Sequence, residues 1–378
     1  MDSRTKRRLS RQELDALARR ALGAGVLDHA ELTDGFANAV WRLRLDDGRD
    51  VVCKLSPPPE LDQLSYERDL LRTEAAACEL AAAAGVPVAA LLRAGFDDPV
   101  LGGDYLMLAA LDGVSWNHVS RHDGALGEGS PKVTPEDEAR LRRELGRLLA
   151  RLNAVTGPVF GYPHAGITGS TWREAYLAMV DALLGDTVRY PTALPAPVPR
   201  IRALLAAAAP ALDEVTTPHL VHFDIWPGNV FLDLSGPPRI QAIIDHERAF
   251  WGDPLAEFIT PTIFAELRED DPLVAGYREV TPFELTPAAR VRLDLYRAYL
   301  YLILLVENGP RQYPEAEYAR VRDQATASLA EVLDRLVPLA PRHRRVARGT
   351  ARRPLRAARW ARPGRRARAC CRCRRARP

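Results

Sequence analysis

The chain has 378 residues, 47% of them hydrophobic and 27% charged, which is the composition of a water-soluble globular protein with material for two domains or one large bilobal one. Nothing in it suggests collagen, coiled coil or wholesale disorder. The formal charge of +3 conceals a division: residues 341–378 carry sixteen Arg and no acid, and residues 1–340 carry 36 basic against 49 acidic side chains, a net −13.

An acidic body argues against nucleic acid as the main partner and fits a cationic small substrate. The first eight residues are charged and no apolar segment follows, so a secretory signal is not expected. The longest apolar run, 298–306, is nine residues, about half of what a membrane span needs. A cytoplasmic protein that does not enter a membrane is the expectation. Five cysteines are too few for a disulfide framework; Cys53 and Cys78 lie in apolar runs and read as small buried hydrophobes.

In chain order, Ser10 and Glu13 have capping-box spacing ahead of a helix from Arg11 to about Gly23. Strand-like stretches follow at 30–33, 39–45 and 50–55, the last two joined by Asp46-Asp47-Gly48, a hairpin turn signal. A helix is expected from about Leu64 to Ala84, stopped by Gly85 and Pro87, and then two more strands at 88–94 and 105–108. Leu111-Asp112-Gly113 closes this small lobe.

Beyond it the pattern turns helical. Thr134-Pro135 is an N-cap with proline at the first helical position, and Leu141, Leu145, Leu148 and Leu152 form the apolar stripe. Further helices are expected at 172–184, 201–212, 286–308 and 315–336, with two short strands at 230–232 and 240–244. From Pro341 the chain is Arg, Ala and Pro of low complexity. It reads as a disordered appendage, with a polyanion-binding arm or a frame-altered segment as the alternatives. Cys370, Cys371 and Cys373 lack the fourth ligand and the spacing of a zinc site.

The chemistry concentrates in two segments. One is Val221-His222-Phe223-Asp224-Ile225-Trp226-Pro227-Gly228-Asn229, and the other is Ile243-Ile244-Asp245-His246-Glu247. Asp224 and Asn229 stand five apart across a Trp-Pro-Gly loop, so one can face an acceptor while the other reaches a metal. Asp245 follows sixteen residues later at the tip of an apolar strand. Carboxylate and amide oxygens are the hard ligands Mg²⁺ prefers, and phosphoryl transfer needs such a set together with a cation for the phosphates. Lys54, inside the apolar strand Val51-Val52-Cys53-Lys54-Leu55, supplies a candidate cation that wants a partner.

These residues resemble the aminoglycoside phosphotransferase and choline kinase-like family, relatives of the protein kinases, over roughly residues 20 to 335. The resemblance implies an α+β, bilobal protein-kinase-like fold: a small antiparallel-sheet lobe (1–108), a hinge (109–113), a larger mainly helical lobe (114–340) and the tail (341–378). It implies an ATP-dependent kinase acting on the hydroxyl group of a small molecule, with ATP and Mg²⁺ as cofactors. In it Asp224 is the catalytic carboxylate, His222 anchors the loop, and Asn229 and Asp245 bind metal. Lys54 holds the α- and β-phosphates, with Glu74 as its partner and Glu67, expected on the same helical face, as the alternative.

Gly35 and Asn38 in Asp34-Gly35-Phe36-Ala37-Asn38 take the nucleotide-loop position, and Ala109 and Leu111 fall at the adenine-binding hinge. Asp253, in Trp251-Gly252-Asp253-Pro254, reads as an N-cap with proline at the first helical position, and the resemblance implies that it also steadies the catalytic loop. The glycine that follows the metal aspartate in protein kinases is absent here. Glu247, Asp253, Glu257 and Glu307 are candidates for an acidic acceptor pocket, and Trp116 and Trp172 are either core or acceptor-stacking residues. Amino sugars, amino alcohols, hydroxylated metabolites and ketosamines stand open as acceptors, the Asp-x-Trp-x-Gly-Asn arrangement being similar to that of fructosamine kinases. A catalytically inactive nucleotide-binding protein is the alternative.

Overall fold

The chain is described here from a computed structural model, which places residues 5–32, 39–58, 60–120 and 133–339. Gly35 and Asn38, and the Arg-rich tail, lie outside the described residues.

Helix α1 (Arg11–Leu22) begins on a capping box in which Ser10 and Glu13 satisfy each other's backbone N–H groups, and it ends on Gly23 at φ 75°. Strands β1 (Val26–Glu31), β2 (Ala39–Leu45) and β3 (Asp50–Leu55) follow, the first starting four residues earlier than its apolar letters suggest. Helix α2 spans Leu70–Ala83, and β4 (Leu91–Asp98) and β5 (Gly103–Ala109) complete an antiparallel sheet in the order β1-β2-β3-β5-β4.

Strand parity decides what this sheet does. Cys53 and Leu55 point to one face and join Leu43, Leu45, Met107 and the α1 residues Leu14 and Leu17 in a buried cluster. Lys54, between them, points to the other face. That is the face where Leu106 packs on Leu71 and Ala75 of α2.

Helix α2 is shorter than its sequence suggests. Asp69 sits in the left-handed region (φ 57°) and separates α2 from a single 3₁₀ turn at Ser65–Glu67. Asp accepts that conformation at modest cost because its short side chain bonds locally, and no hydrophobic period marks the break. Glu67 therefore leaves the helical face that carries Glu74.

After β5 the chain enters the second sheet system through β6 (Val114–Ser115) and α3 (Trp116–Ser120). Gly113 makes that entry: a Cβ there would lie 2.4 Å from the Leu232 carbonyl oxygen. Helix α4 (Pro135–Asn153) is capped by Thr134 with Pro135 at its first position, as its letters predict. Then come β7 (Phe160–Tyr162), β8 (Ile167–Gly169), α5 (Trp172–Arg189), α6 (Val198–Ala208) and β9 (His219–Val221).

Strand β10 (Val230–Asp233) pairs with both β6 and β11 (Arg239–Ile243), and β12 (Phe250–Gly252) joins β7, β8 and β9 in a four-stranded sheet. Helices α7 (Pro272–Arg278), α8 (Pro287–Val306), α9 (Asn308–Arg311) and α10 (Glu315–Leu336) close the lobe. Its core is aromatic. Trp172, fully buried, stacks on Phe250 and donates from Nε1 to the Tyr296 hydroxyl at 2.7 Å, and Trp116 is buried in the same cluster. Both tryptophans are core residues. No helix among the described residues is long and apolar enough to cross a membrane.

Candidate active site

Two loops meet beneath the five-stranded sheet. One leaves β9 as His222-Phe223-Asp224, and the other leaves β11 as Ile244-Asp245. Each contains a non-glycine residue at positive φ, Phe223 at 59° and Asp245 at 68°. Such conformations cost on the order of 1–3 kcal/mol each and persist where the surroundings over-determine them.

The surroundings here are specific hydrogen bonds. Glu257, fully buried, accepts the backbone N–H of His222 at 2.9 Å and of Phe223 at 3.2 Å, and the Asn153 amide at 3.2 Å. The Asp224 N–H donates to His222 Nδ1 at 3.2 Å, so Nδ1 is the acceptor nitrogen and Nε2 donates to the Ile244 carbonyl at 3.0 Å. Burial pushes the His222 imidazole down to about 4, consistent with the neutral tautomer those bonds require. The Ile244 N–H in turn donates to the Asn229 carbonyl at 3.0 Å. One histidine and one backbone bond thus lock the two loops together.

Asn229 donates its amide N–H to the Asp224 carbonyl at 2.9 Å and to its carboxylate at 3.3 Å, leaving the amide oxygen as the remaining polar atom of its side chain. Asp224 keeps 18% of its side chain exposed. Burial raises its carboxyl to about 6; Arg248, whose Nε lies 4.0 Å away, pulls it down, and Asp245 adds to the rise.

Lys54 reaches this point from the sheet. Its ammonium, 6% exposed, forms an ion pair with Glu74 and donates to Asp245 Oδ1 at 2.6 Å. Burial works against that charge, but Asp245 and Glu74, with Glu247, outweigh it and hold Lys54 firmly protonated. Lys54 likewise overcomes burial at Asp245 and keeps that carboxyl below its usual range. At Glu74 burial dominates and the carboxyl is raised.

The alternative partner, Glu67, faces elsewhere: it accepts the Leu64 N–H at 3.0 Å and pairs with Arg311. Its place beyond the Asp69 break is the reason.

The donor set suits a hard divalent cation. Oxygens of Glu74, Asp245 and Glu247 all lie within 4.8 Å of one another, and Glu74 Oε2 is buried with no hydrogen-bond partner. Three carboxylates around one ammonium leave surplus negative charge, and burial raises the Glu247 carboxyl well above its usual range, with Asp245 adding to it. Of the three, Glu74 is taken by Lys54, and Asp245, half-buried, is the carboxylate open to a hard cation such as Mg²⁺.

Asp253 is the N-cap its letters give, whereas the acceptor-pocket carboxylates stand elsewhere than expected. Asp253 caps the turn that follows it, accepting the Leu255 N–H at 3.0 Å, and otherwise binds Arg292 Nε at 2.8 Å and the Tyr296 hydroxyl at 2.7 Å on α8. The backbone of the catalytic loop is held by Glu257 instead. The four carboxylates considered for an acceptor pocket are buried and engaged with the protein: Glu257 and Asp253 as above, Glu307 with Arg248 and Arg311, and Glu247 beside Glu74 and Asp245. They do not line an open acidic surface. At the lobe connection, Ala109 ends β5 with its N–H donated to Ala90 at 2.8 Å, so that donor is taken up inside the sheet. Leu111 stands half-buried two residues further on.

Comparison with known proteins gives this geometry its relatives. No curated protein sequence matches the chain. Solved structures of the same fold include a protein assigned as a fructosamine-3-kinase from Thermobifida fusca YX-ER1, 21% identical at a TM-score of 0.55, over 84% of this chain and 98% of that one. A thermostable mutant of aminoglycoside phosphotransferase APH(4)-Ia, in ternary complex with AMP-PNP and hygromycin B, is 18% identical at 0.53 over 85% and 98%. Macrolide 2'-phosphotransferase MphH from Brachybacterium faecium is 18% identical at 0.52 over 84% and 98%. At these identities the likeness is one of fold, a bilobal protein-kinase-like α+β architecture. The sequence profile of the phosphotransferase enzyme family matches residues 28–285, and the chain belongs to that family.

Proposed function

We propose that the chain transfers the γ-phosphoryl group of Mg·ATP to a hydroxyl group of a small molecule, with amino sugars and amino alcohols as the acceptor class. The observation that carries this reading is the meeting of Lys54 and Asp245, 191 residues apart, beside a loop in which Asn229 grips Asp224. An ammonium, two metal-capable oxygen donors and a carboxylate of raised pKa are the parts phosphoryl transfer requires.

In this reading Asp224 orients the acceptor hydroxyl and takes its proton as the oxygen bonds to the γ-phosphorus and ADP leaves. A carboxyl of pKa about 6 is ionised at neutral pH and still basic enough to accept that proton. Asn229 and Asp245 hold Mg²⁺, which when bound offsets negative charge on the phosphates. Lys54, oriented by Glu74, binds the α- and β-phosphates. His222 keeps the Asp224 loop and the Asp245 loop in register. This reading assigns Gly35 and Asn38 to the nucleotide loop and residues 109–113 to the hinge.

The test is ADP release against a panel of amino sugars, amino alcohols, macrolides and sugar–amine adducts. The last two belong in it because similar structures carry macrolide phosphotransferase and fructosamine kinase names. Asp224→Asn should lower turnover by about 10²–10⁴-fold with an unchanged melting curve. Full activity in that variant removes Asp224 from the reaction. Mg·ATP binding without ADP release across the panel would point to an inactive nucleotide-binding protein.

A further inference from the structure

A row of buried charges runs from the catalytic loop to the start of α2. Asp224 faces Arg248 at 4.0 Å; Arg248 pairs with Glu307 at 2.8 Å; Glu307 pairs with Arg311 at 2.7 Å; Arg311 pairs with Glu67. Signs alternate along the row, and the side chains from Arg248 to Glu67 are at most 10% exposed. Arg311, with 1% exposed, also donates to the Tyr313 hydroxyl at 2.8 Å.

The far end of this row matters because of how α2 begins. Its N-cap position, Asp69, is left-handed and makes no side-chain capping bond. The helix therefore lacks the local device that normally fixes a helix start. Glu67, three residues ahead of Leu70, accepts the Leu64 N–H and is tied to the helical lobe by a guanidinium. Five residues beyond Asp69 the same helix carries Glu74, the partner of Lys54. Arg311 thus sits at one end of a short lever whose other end orients the phosphate-binding ammonium.

A buried ion-pair chain is on average no more stabilising than apolar packing of the same volume, and its best-attested use is to fix register. A guanidinium suits that use here, since its rigid fork serves Glu307 and Glu67 with two different nitrogens. We propose that Arg311 is a positioning residue that holds helix α2, and with it the Lys54–Glu74 pair, in register with the catalytic loop. The inference rests on the phosphotransfer reading above and adds a residue to it. In the sequence Arg311 simply follows Gly309-Pro310, with no motif around it that marks the role.

The test is a double-mutant cycle on the full chain, with Arg311→Met and Glu74→Gln, read as kcat and as KM for Mg·ATP and for the acceptor. If Arg311 acts through Glu74, Arg311→Met raises the nucleotide KM and lowers kcat/KM by about 10–100-fold, leaving the acceptor KM within about threefold. In the Glu74→Gln background the same change then costs less than about threefold, because the effect it transmits is already lost. Multiplying losses, or a folded Arg311→Met enzyme with wild-type nucleotide KM, overturn the proposal. Should Arg311→Met fail to fold, Glu67→Gln, which removes the charge at the other end of the pair, enters the same cycle with the same criteria. A wild-type chain that neither binds Mg·ATP nor releases ADP defeats the phosphotransfer reading itself, a result separate from additivity in an active enzyme.

Discussion

Glu257 accepts the backbone N–H of His222 at 2.9 Å, and through that bond a carboxylate 35 residues away sets the conformation of the loop that carries Asp224. Burial raises the Glu257 carboxyl to about 7, while the N–H groups of His222 and Phe223 pull it down. A folded-state pKa above the unfolded value of 4.5 means stability is greatest below pH 4.5 and falls as pH rises to about 7, then levels. The drop from this group is roughly 3 kcal/mol. Urea melts of the wild type and of Glu257→Gln across pH 4.5–8 should show that component of the slope in the first and not in the second. An identical slope in both would mean that Glu257 titrates as an ordinary carboxylate.

Lys54 stands between the buried Glu74 and the half-buried Asp245 as a compact point charge. Lys54→Met removes the cation for the phosphates and leaves two carboxylates, the buried Glu74 and the half-buried Asp245, facing each other. The nucleotide kcat/KM should fall by about 10²–10³, the usual cost of deleting one preorganised electrostatic group. Lys54→Arg should not restore it, because a planar fork cannot occupy the place of an ammonium between these two oxygens. Steady-state kinetics over Mg·ATP concentration decides it, and an arginine variant of wild-type efficiency would show that only charge matters there.

Asp253 is expected to matter for stability and little for turnover. Its carboxylate, 4% exposed, balances Arg292 and accepts the Tyr296 hydroxyl. Asp253→Ala leaves both buried without it, which costs about 3 kcal/mol or more. Turnover per folded molecule should stay within about threefold of wild type, measured below the shifted unfolding midpoint. A large kcat loss in an enzyme of unchanged stability would bring Asp253 into the reaction after all.

What was legible in the sequence follows from where each signal is written. The caps of α1, α4 and α8, the Asp47-Gly48 hairpin and the apolar periods of the long helices are local, and those elements stand where their letters put them. The strands of two or three residues, β6 to β9 and β12, are too short to show a period of two. Helix α7 did have a signal, Asp271 capping with Pro272 at its first position, but only seven residues of pattern behind it. The start of α2 was misplaced because the left-handed turn at Asp69 leaves no compositional trace.

The site divides in the same way. Asp224, Asn229, Asp245 and Lys54 stand out by residue type and spacing. The work of Glu257 and Arg311 is tertiary: one serves backbone donors of a distant loop, the other a glutamate 244 positions earlier. Neither carries a mark that a surface carboxylate or arginine would lack.

Two glycines on α4 and α7 extend this dependence on distant packing to the catalytic loop. A Cβ on Gly276 would lie 1.9 Å from the Arg143 carbonyl oxygen, and one on Gly146 2.1 Å from that of Leu273, so the two helix backbones touch where they cross. Alanine at either position must push the helices apart, at a cost of about 1–3 kcal/mol. The displacement has a route to the chemistry: Tyr277 on α7 donates to Asn153 at 3.0 Å, and Asn153 on α4 donates to Glu257. Gly276→Ala should therefore lower both the unfolding midpoint and kcat. Gly185→Ala on α5 is the control, since nothing lies within 4 Å of its Cβ position. There alanine should raise stability by about 0.5–1 kcal/mol and leave kcat alone. If Gly276→Ala loses stability but turns over at the wild-type rate, the Tyr277–Asn153–Glu257 connection does not reach Asp224, and the loop is held from β9 and β11 alone.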